Sequence, residues 1–78
     1  MNKEIYVKIN EIDKLKSFVK DAESFMSDID VTTGQYVVNA KSIMGMFSLD
    51  LSKDILVKIY SDDKKEITRF NTVMAKYV

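Results

Sequence analysis

The feature that most constrains this chain is a repeated change in apolar period. In "KEIYVKI", Ile5, Val7 and Ile9 alternate with Glu4, Tyr6 and Lys8, the period of two that turns one strand face to a core and the other to water. From Ile12 the spacing becomes three or four: Ile12, Leu15, Phe18, Val19, Ala22, Phe25 and Met26 form one stripe, with charged residues elsewhere. That is an amphipathic helix, with Asn10 expected to cap it and Asp13 placed to complement its dipole. Alternation returns in "DIDVTTGQYVVNA", where Ile29 and Val31 precede Gly34 and Val38 and Ala40 follow it. This predicts a hairpin with glycine supplying the turn.

"SIMGMFSLDL" predicts a short helix capped by Ser42, with Gly45 inside it at a cost of up to about 1 kcal/mol relative to alanine. A glycine kept there implies close packing or a loosely held turn. "DILVKIY" repeats the first strand, with Ile55, Val57 and Ile59 inward. Asp63 and Glu66 then resemble a capping box ahead of a last helix with Ile67, Phe70, Val73, Met74 and Tyr77 along one side. The succession βαββαβα, with an apolar stripe on each helix, predicts an α+β open-faced sandwich. The outer face of its sheet, carrying Tyr6, Lys8, Lys58 and Tyr60, is left to solvent.

Length and composition bound what such a fold can do. The 78 residues are read as one domain, residues 1–78. At that size about 60% of the unfolded surface is buried, which leaves little room for a deep cleft. The chain has no histidine and no cysteine, so imidazole chemistry, thiolate metal sites and disulfides are all excluded. Twelve basic and twelve acidic residues, interspersed, give no net charge and no concentrated positive field, which argues against nucleic acid. The apolar runs fall far short of the roughly 20 residues that span a bilayer, so a cytoplasmic protein is expected, with no membrane partner. No metal site and no cofactor is expected. The "SDD" at 61–63 reads as a turn and helix cap, since adjacent oxygens without a glycine-turned loop make no calcium cage. Tyr6, Tyr36 and Tyr60 could in principle form a base-stacking platform, but no basic surplus accompanies them. Asp28 and Asp30 share a strand face because Ile29 and Val31 take the buried one.

The stretch "NAKSIMGMFSLDLSKD" resembles the segment after the third strand of the HPr family, the histidine-containing phosphocarriers of the bacterial sugar phosphotransferase system, whose pattern is similar to N-L-K-S-I-M-G-V-M-S-L. "VKINE", "SDIDV" and "ILVKIYSDD" extend the resemblance, in order, over nearly the whole chain. It implies an antiparallel four-stranded sheet in the order 1-4-2-3 with three helices on one face. Alternation and turn residues alone would equally allow a ferredoxin-like sheet.

The resemblance breaks between the first strand and first helix. There the family carries Gly-Leu-His-Ala-Arg-Pro, whose histidine relays phosphate from phosphoenolpyruvate. This chain reads "NEIDKLKSFVK", shorter and without histidine or proline. Phosphoryl relay needs a nitrogen nucleophile at a helix N-terminus with amides and a cation around the phosphoryl oxygens. Lys14 and Lys16 could stabilise charge but not act as a reversible acceptor. Neither catalysis nor phosphate carrying is therefore expected.

Ser42 does match. In Gram-positive members of the family the corresponding serine is phosphorylated by HPr kinase, and the product binds the catabolite-control repressor. Phosphate there would add roughly −1.5 to −2 charge at a helix start, although a capping serine needs no modification to be useful. Ile43, Met44 and Phe47 match the family's partner-docking patch; by spacing alone they read as core instead. One arrangement serves both, with Met46 and Leu49 inward and Ile43, Met44 and Phe47 partly exposed. The expectation is a non-catalytic regulatory or adaptor protein that binds kinase, repressor or phosphotransferase-system components through the Ser42 helix. The alternatives are a phosphocarrier-type component of sugar transport, or a small oligomerising module that uses its first strand. Its expected state is a monomer or weak homodimer.

Overall fold

The computed structural model describes residues 2–78. Four strands, β1 (Asn2–Val7), β2 (Asp28–Thr33), β3 (Tyr36–Asn39) and β4 (Ile55–Tyr60), form one antiparallel sheet in the order β1-β4-β2-β3. Helices α1 (Ile12–Glu23), α2 (Ile43–Phe47) and α3 (Lys64–Met74) cover one side, and a 3-10 turn, Ala75–Tyr77, continues α3. This is the open-faced α+β sandwich expected from the periodicities, with the strand order that the resemblance implied.

Alternation becomes a layered core through the register. Ile5 faces Val57, Val57 faces Val31 and Val31 faces Val38, one apolar row across all four strands. Val7 opposite Ile55, and Ile29 opposite Ile59, extend it. Leu15, Phe18, Val19 and Ala22 of α1, Met46 of α2, and Ile67, Phe70 and Met74 of α3 are buried against this floor. Phe18 and Phe70 are the largest fully enclosed side chains, each worth about 2–3 kcal/mol of burial, one on each of the two long helices. Phe70 meets Phe25 edge-on at 6.0 Å, and Phe18 meets Tyr77 edge-on at 5.4 Å.

Several local expectations need correction. Asn10 does not cap α1: the N-cap is Glu11, in extended backbone and with no side-chain cap hydrogen bond. The stripe of α1 is buried only in its middle, leaving Ile12 exposed at one end and Met26 exposed beyond the other. The capping box of α3 is half formed. Asp63 accepts from Lys65 N at 2.9 Å, but Glu66 accepts from Ser27 N at 2.8 Å and so ties α3 to the loop before β2. The three strand tyrosines share no platform, because Tyr36 pairs with Thr33 in the row parity of the inner face, whereas Tyr6 and Tyr60 lie on the outer one.

The turn between β2 and β3 has two residues, with Gly34 at φ +56° in first position and no positive φ at Gln35. That is the II′ arrangement, whose twist matches the strands and whose first position favours glycine. Among the described residues no helix is long and apolar enough to cross a membrane.

Candidate functional site

The distinctive surface is built by α2. The chain leaves β3 at Asn39, whose side chain accepts from Lys41 N at 2.9 Å and whose carbonyl accepts from Ser42 N at 3.0 Å. Lys41 anchors the bend by donating its ammonium to the Phe25 carbonyl at 2.7 Å. Ser42 then sits in extended backbone as the N-cap, with its Oγ accepting from Gly45 N at 3.1 Å and its carbonyl from Met46 N at 3.0 Å. These bonds satisfy amides that a five-residue helix could not satisfy internally.

Gly45 is present because of packing. A Cβ there would lie 3.2 Å from Ser42 Oγ and 3.3 Å from Val38 Cβ, so α2 rests closely on β3 and on its own cap. With the backbone so near the sheet, Met46 is driven fully into the core and Leu49 follows it. Ile43 is half-buried at the core edge, while Met44 is 75% and Phe47 47% exposed. Met44 and Phe47, three residues apart, share a helix face, and Ser42 stands half-buried at its start.

Two features escaped sequence reasoning. Phe47 lines a groove of about 330 Å³ with Glu11, Ile12, Leu15 and Leu51, so the start of α1 and the end of α2 form one surface. Ile12 extends the apolar area beyond α2, and its place at the very start of the α1 stripe was the available signal. A larger hollow of about 560 Å³ runs beside the end of β1, over Val7, Ile9, Leu51 and Ile55, with Lys8, Lys53 and Asp54 on its rim. The hydroxyl of Ser52, also on that rim, donates to Asp50 at 2.6 Å. That bond, with the Ser52 N donation to the same carboxylate, holds Asp50 below its ordinary value.

The N-cap of α1 is Glu11 and its first turn carries Asp13, so two exposed acidic residues stand at the helix start. The chain contains no imidazole to accept phosphate. At its other end α1 is tied down by Asp21. Tyr77 donates its hydroxyl proton to Asp21 at 2.6 Å, Lys76 lies 2.8 Å from the same oxygen, and Ser17 donates to the Tyr77 oxygen at 2.9 Å. Burial alone would push the Asp21 carboxyl up; the bonds from Lys76 and Tyr77 and the ammonium charge hold it below its ordinary value. Among the described residues no cluster of acidic side chains could hold a metal ion.

A four-stranded sheet in this order, three helices on one side and a serine-capped α2 define a phosphocarrier-type α+β fold. The family model for the phosphorylation site of the phosphotransferase-system HPr component matches residues 15–75, and the chain belongs to the HPr family. It is 32% identical over 78 residues to the phosphocarrier protein HPr of Buchnera aphidicola subsp. Schizaphis graminum (strain Sg), covering 90% of this chain and 92% of that one. Among solved structures it is similar to the phosphocarrier protein HPr of Bacillus anthracis str. Ames, with TM-score 0.74 and 25% identity over 100% of this chain and 96% of that one. HPr-C-His of Thermoanaerobacter tengcongensis gives TM-score 0.69 and 29% identity, covering 97% and 92%. Crh, the catabolite-repression protein of Bacillus subtilis, gives 0.61 and 25%, covering 95% and 87%.

Proposed function

We propose that this HPr-family protein is a non-catalytic regulator or adaptor that binds protein partners through α2, with Ser42 as a phosphorylation switch. The observation that carries the reading is the split within one short helix. Met46 is fully enclosed, while Met44 and Phe47 stay exposed beside a half-buried serine, in a chain with no histidine. Exposed Met and Phe bring large contact area and, for Met, adaptable shape, which suits a surface that meets more than one partner. The partners by family resemblance are HPr kinase, the catabolite-control repressor and phosphotransferase-system components.

Phosphorylation at Ser42 adds dianionic charge next to this apolar face and redirects what it binds. The phosphoryl oxygens can replace Oγ as acceptors for the Gly45 amide, so α2 stays capped. The test is phosphopeptide mass spectrometry after exposure to HPr kinase and ATP. Phosphate on Ser42 is expected, and an unmodified Ser42 beside a modified control HPr removes the switch.

A second reading draws on the likeness to Crh, whose structure is described as a domain-swapped dimer. Here β1 is an edge strand paired only with β4, so exchange of β1 between two copies is open to this chain. Light scattering separates the two, because the adaptor reading predicts a monomer at micromolar concentration.

A further inference from the structure

The chain has five methionines and no cysteine, so thioethers are the only sulfur it offers to an oxidant. The four among the described residues fall into two opposite pairs. Met46 and Met74 are 0% exposed, whereas Met44 is 75% and Met26 93% exposed. Met44 and Met46 sit two residues apart in α2 and point to opposite sides, one into the core and one beside Phe47.

We propose that Met44 is a reversible oxidation site, at which a peroxide-class oxidant converts the α2 docking face from apolar to polar while the fold stays intact. The docking role is that of the proposed function; the oxidation chemistry stands apart from it. A sulfur lone pair of Met44 attacks one peroxide oxygen, an S–O bond forms and the O–O bond breaks. The leaving hydroxide takes up a proton as water; sulfur loses two electrons and the peroxide gains them. Return requires a dithiol reductase, which takes the sulfoxide oxygen away as water while its two thiols close to a disulfide.

The packing makes the outcome selective. Met44 is absent from the buried cluster and from the side chains packed against it, so its sulfoxide is solvated and disturbs nothing inside. A sulfoxide at Met46 would place a strong dipole among apolar neighbours, but that sulfur is out of reach in the folded protein. Met26 lies outside α2, in the loop between α1 and β2, and reports the oxidant dose.

The experiment uses the full chain carrying Met26→Leu, so that Met44 is the exposed thioether left among the described residues. It is treated with hydrogen peroxide and mapped by peptide mass spectrometry; wild type is mapped in parallel. Met44 and, in wild type, Met26 should gain oxygen about tenfold or more faster than Met46 and Met74. The oxidised protein should keep its circular-dichroism spectrum, elute earlier from a hydrophobic-interaction column, and lose capture by purified HPr kinase. Methionine sulfoxide reductase with a dithiol should restore both.

A Met26→Leu/Met44→Leu protein, read only against itself before and after peroxide, should shift less on the column than the Met26→Leu protein does, since Met1 is a thioether that both still carry. The proposal is overturned if Met44 stays reduced at a dose that oxidises Met26, if Met46 oxidises as fast, or if column retention is unaffected by oxidation. Failure of the kinase to capture the untreated protein strikes the docking reading instead, and leaves mapping and retention to judge the oxidation.

Discussion

Ser42 and Gly45 are fitted to one another: the serine Oγ accepts the Gly45 amide at 3.1 Å and would lie 3.2 Å from any Cβ placed on that glycine. Cap and glycine act as a unit. The side chain that starts α2 occupies the space a longer residue at position 45 would need, with Val38 closing the other side.

Replacing Gly45 by alanine therefore brings two opposing effects. Helix propensity favours alanine by about 1 kcal/mol, while overpacking against a rigid strand costs about 1–3 kcal/mol. Val38 Cβ is bonded directly to the Cα of β3 and is not moved by side-chain rotation, so crowding wins. Gly45→Ala is expected to lower stability by about 1 kcal/mol, and Gly45→Val by more. Urea unfolding followed by circular dichroism measures both.

Ser42→Ala removes the acceptor for the Gly45 amide and is expected to cost about 1 kcal/mol, whereas Ser42→Asp, itself a good cap, should remain near wild type. Equal losses for the two variants in urea unfolding would show that the capping bond is unimportant.

Acid sensitivity follows from two carboxyls held below their ordinary values. For Asp21, burial works upward but is outweighed by the bonds from Lys76 and Tyr77; for Glu66, the bond from Ser27 is the main cause. A depressed folded value means that the stabilisation is fully present above the unfolded carboxylate value, about 4, and is lost as pH falls through the lower folded one. Stability should therefore be level between about pH 7 and 5 and decline below about 4. Asp21→Asn and Glu66→Gln should each cost about 1 kcal/mol at neutral pH, given partial solvent screening, and converge on wild type in acid. Urea midpoints at a series of pH values check this; a constant gap down to the lowest pH contradicts it.

Phosphoenolpyruvate with the purified upstream enzyme of the relay should leave no acid-labile phosphate on this chain, because histidine is absent and Glu11 and Asp13 crowd the start of α1 with negative charge. A labelled band in a gel-based relay assay would establish an unrecognised acceptor.

The strands were legible because alternation is written into the chain itself: Ile55, Val57 and Ile59 can all face one side only in an extended backbone. The Ser42 cap and the Gly34 turn were legible for the same local reason. What sequence could not reveal depends on distant partners. Glu66 satisfies the Ser27 amide and not its own cap because the loop before β2 happens to pass there. Ile12 is exposed because the apolar stripe of α1 outruns the core beneath it. Within "IMGMF" the identities alone favour core for Met44 and Phe47, which the structure leaves exposed. The close approach of Gly45 to Val38 decides which side chains turn inward, and that contact spans two elements.

The most direct test of partner docking through α2 is a pull-down comparing wild type with Met44→Asp. Met44 lies in the first turn of α2, where a carboxylate complements the helix dipole, so the substitution alters the surface and keeps the fold. Capture of purified HPr kinase by wild type, with loss of about tenfold or more for Met44→Asp, is the predicted result. Equal capture by a folded Met44→Asp protein would contradict the account and leave α2 a structural element alone.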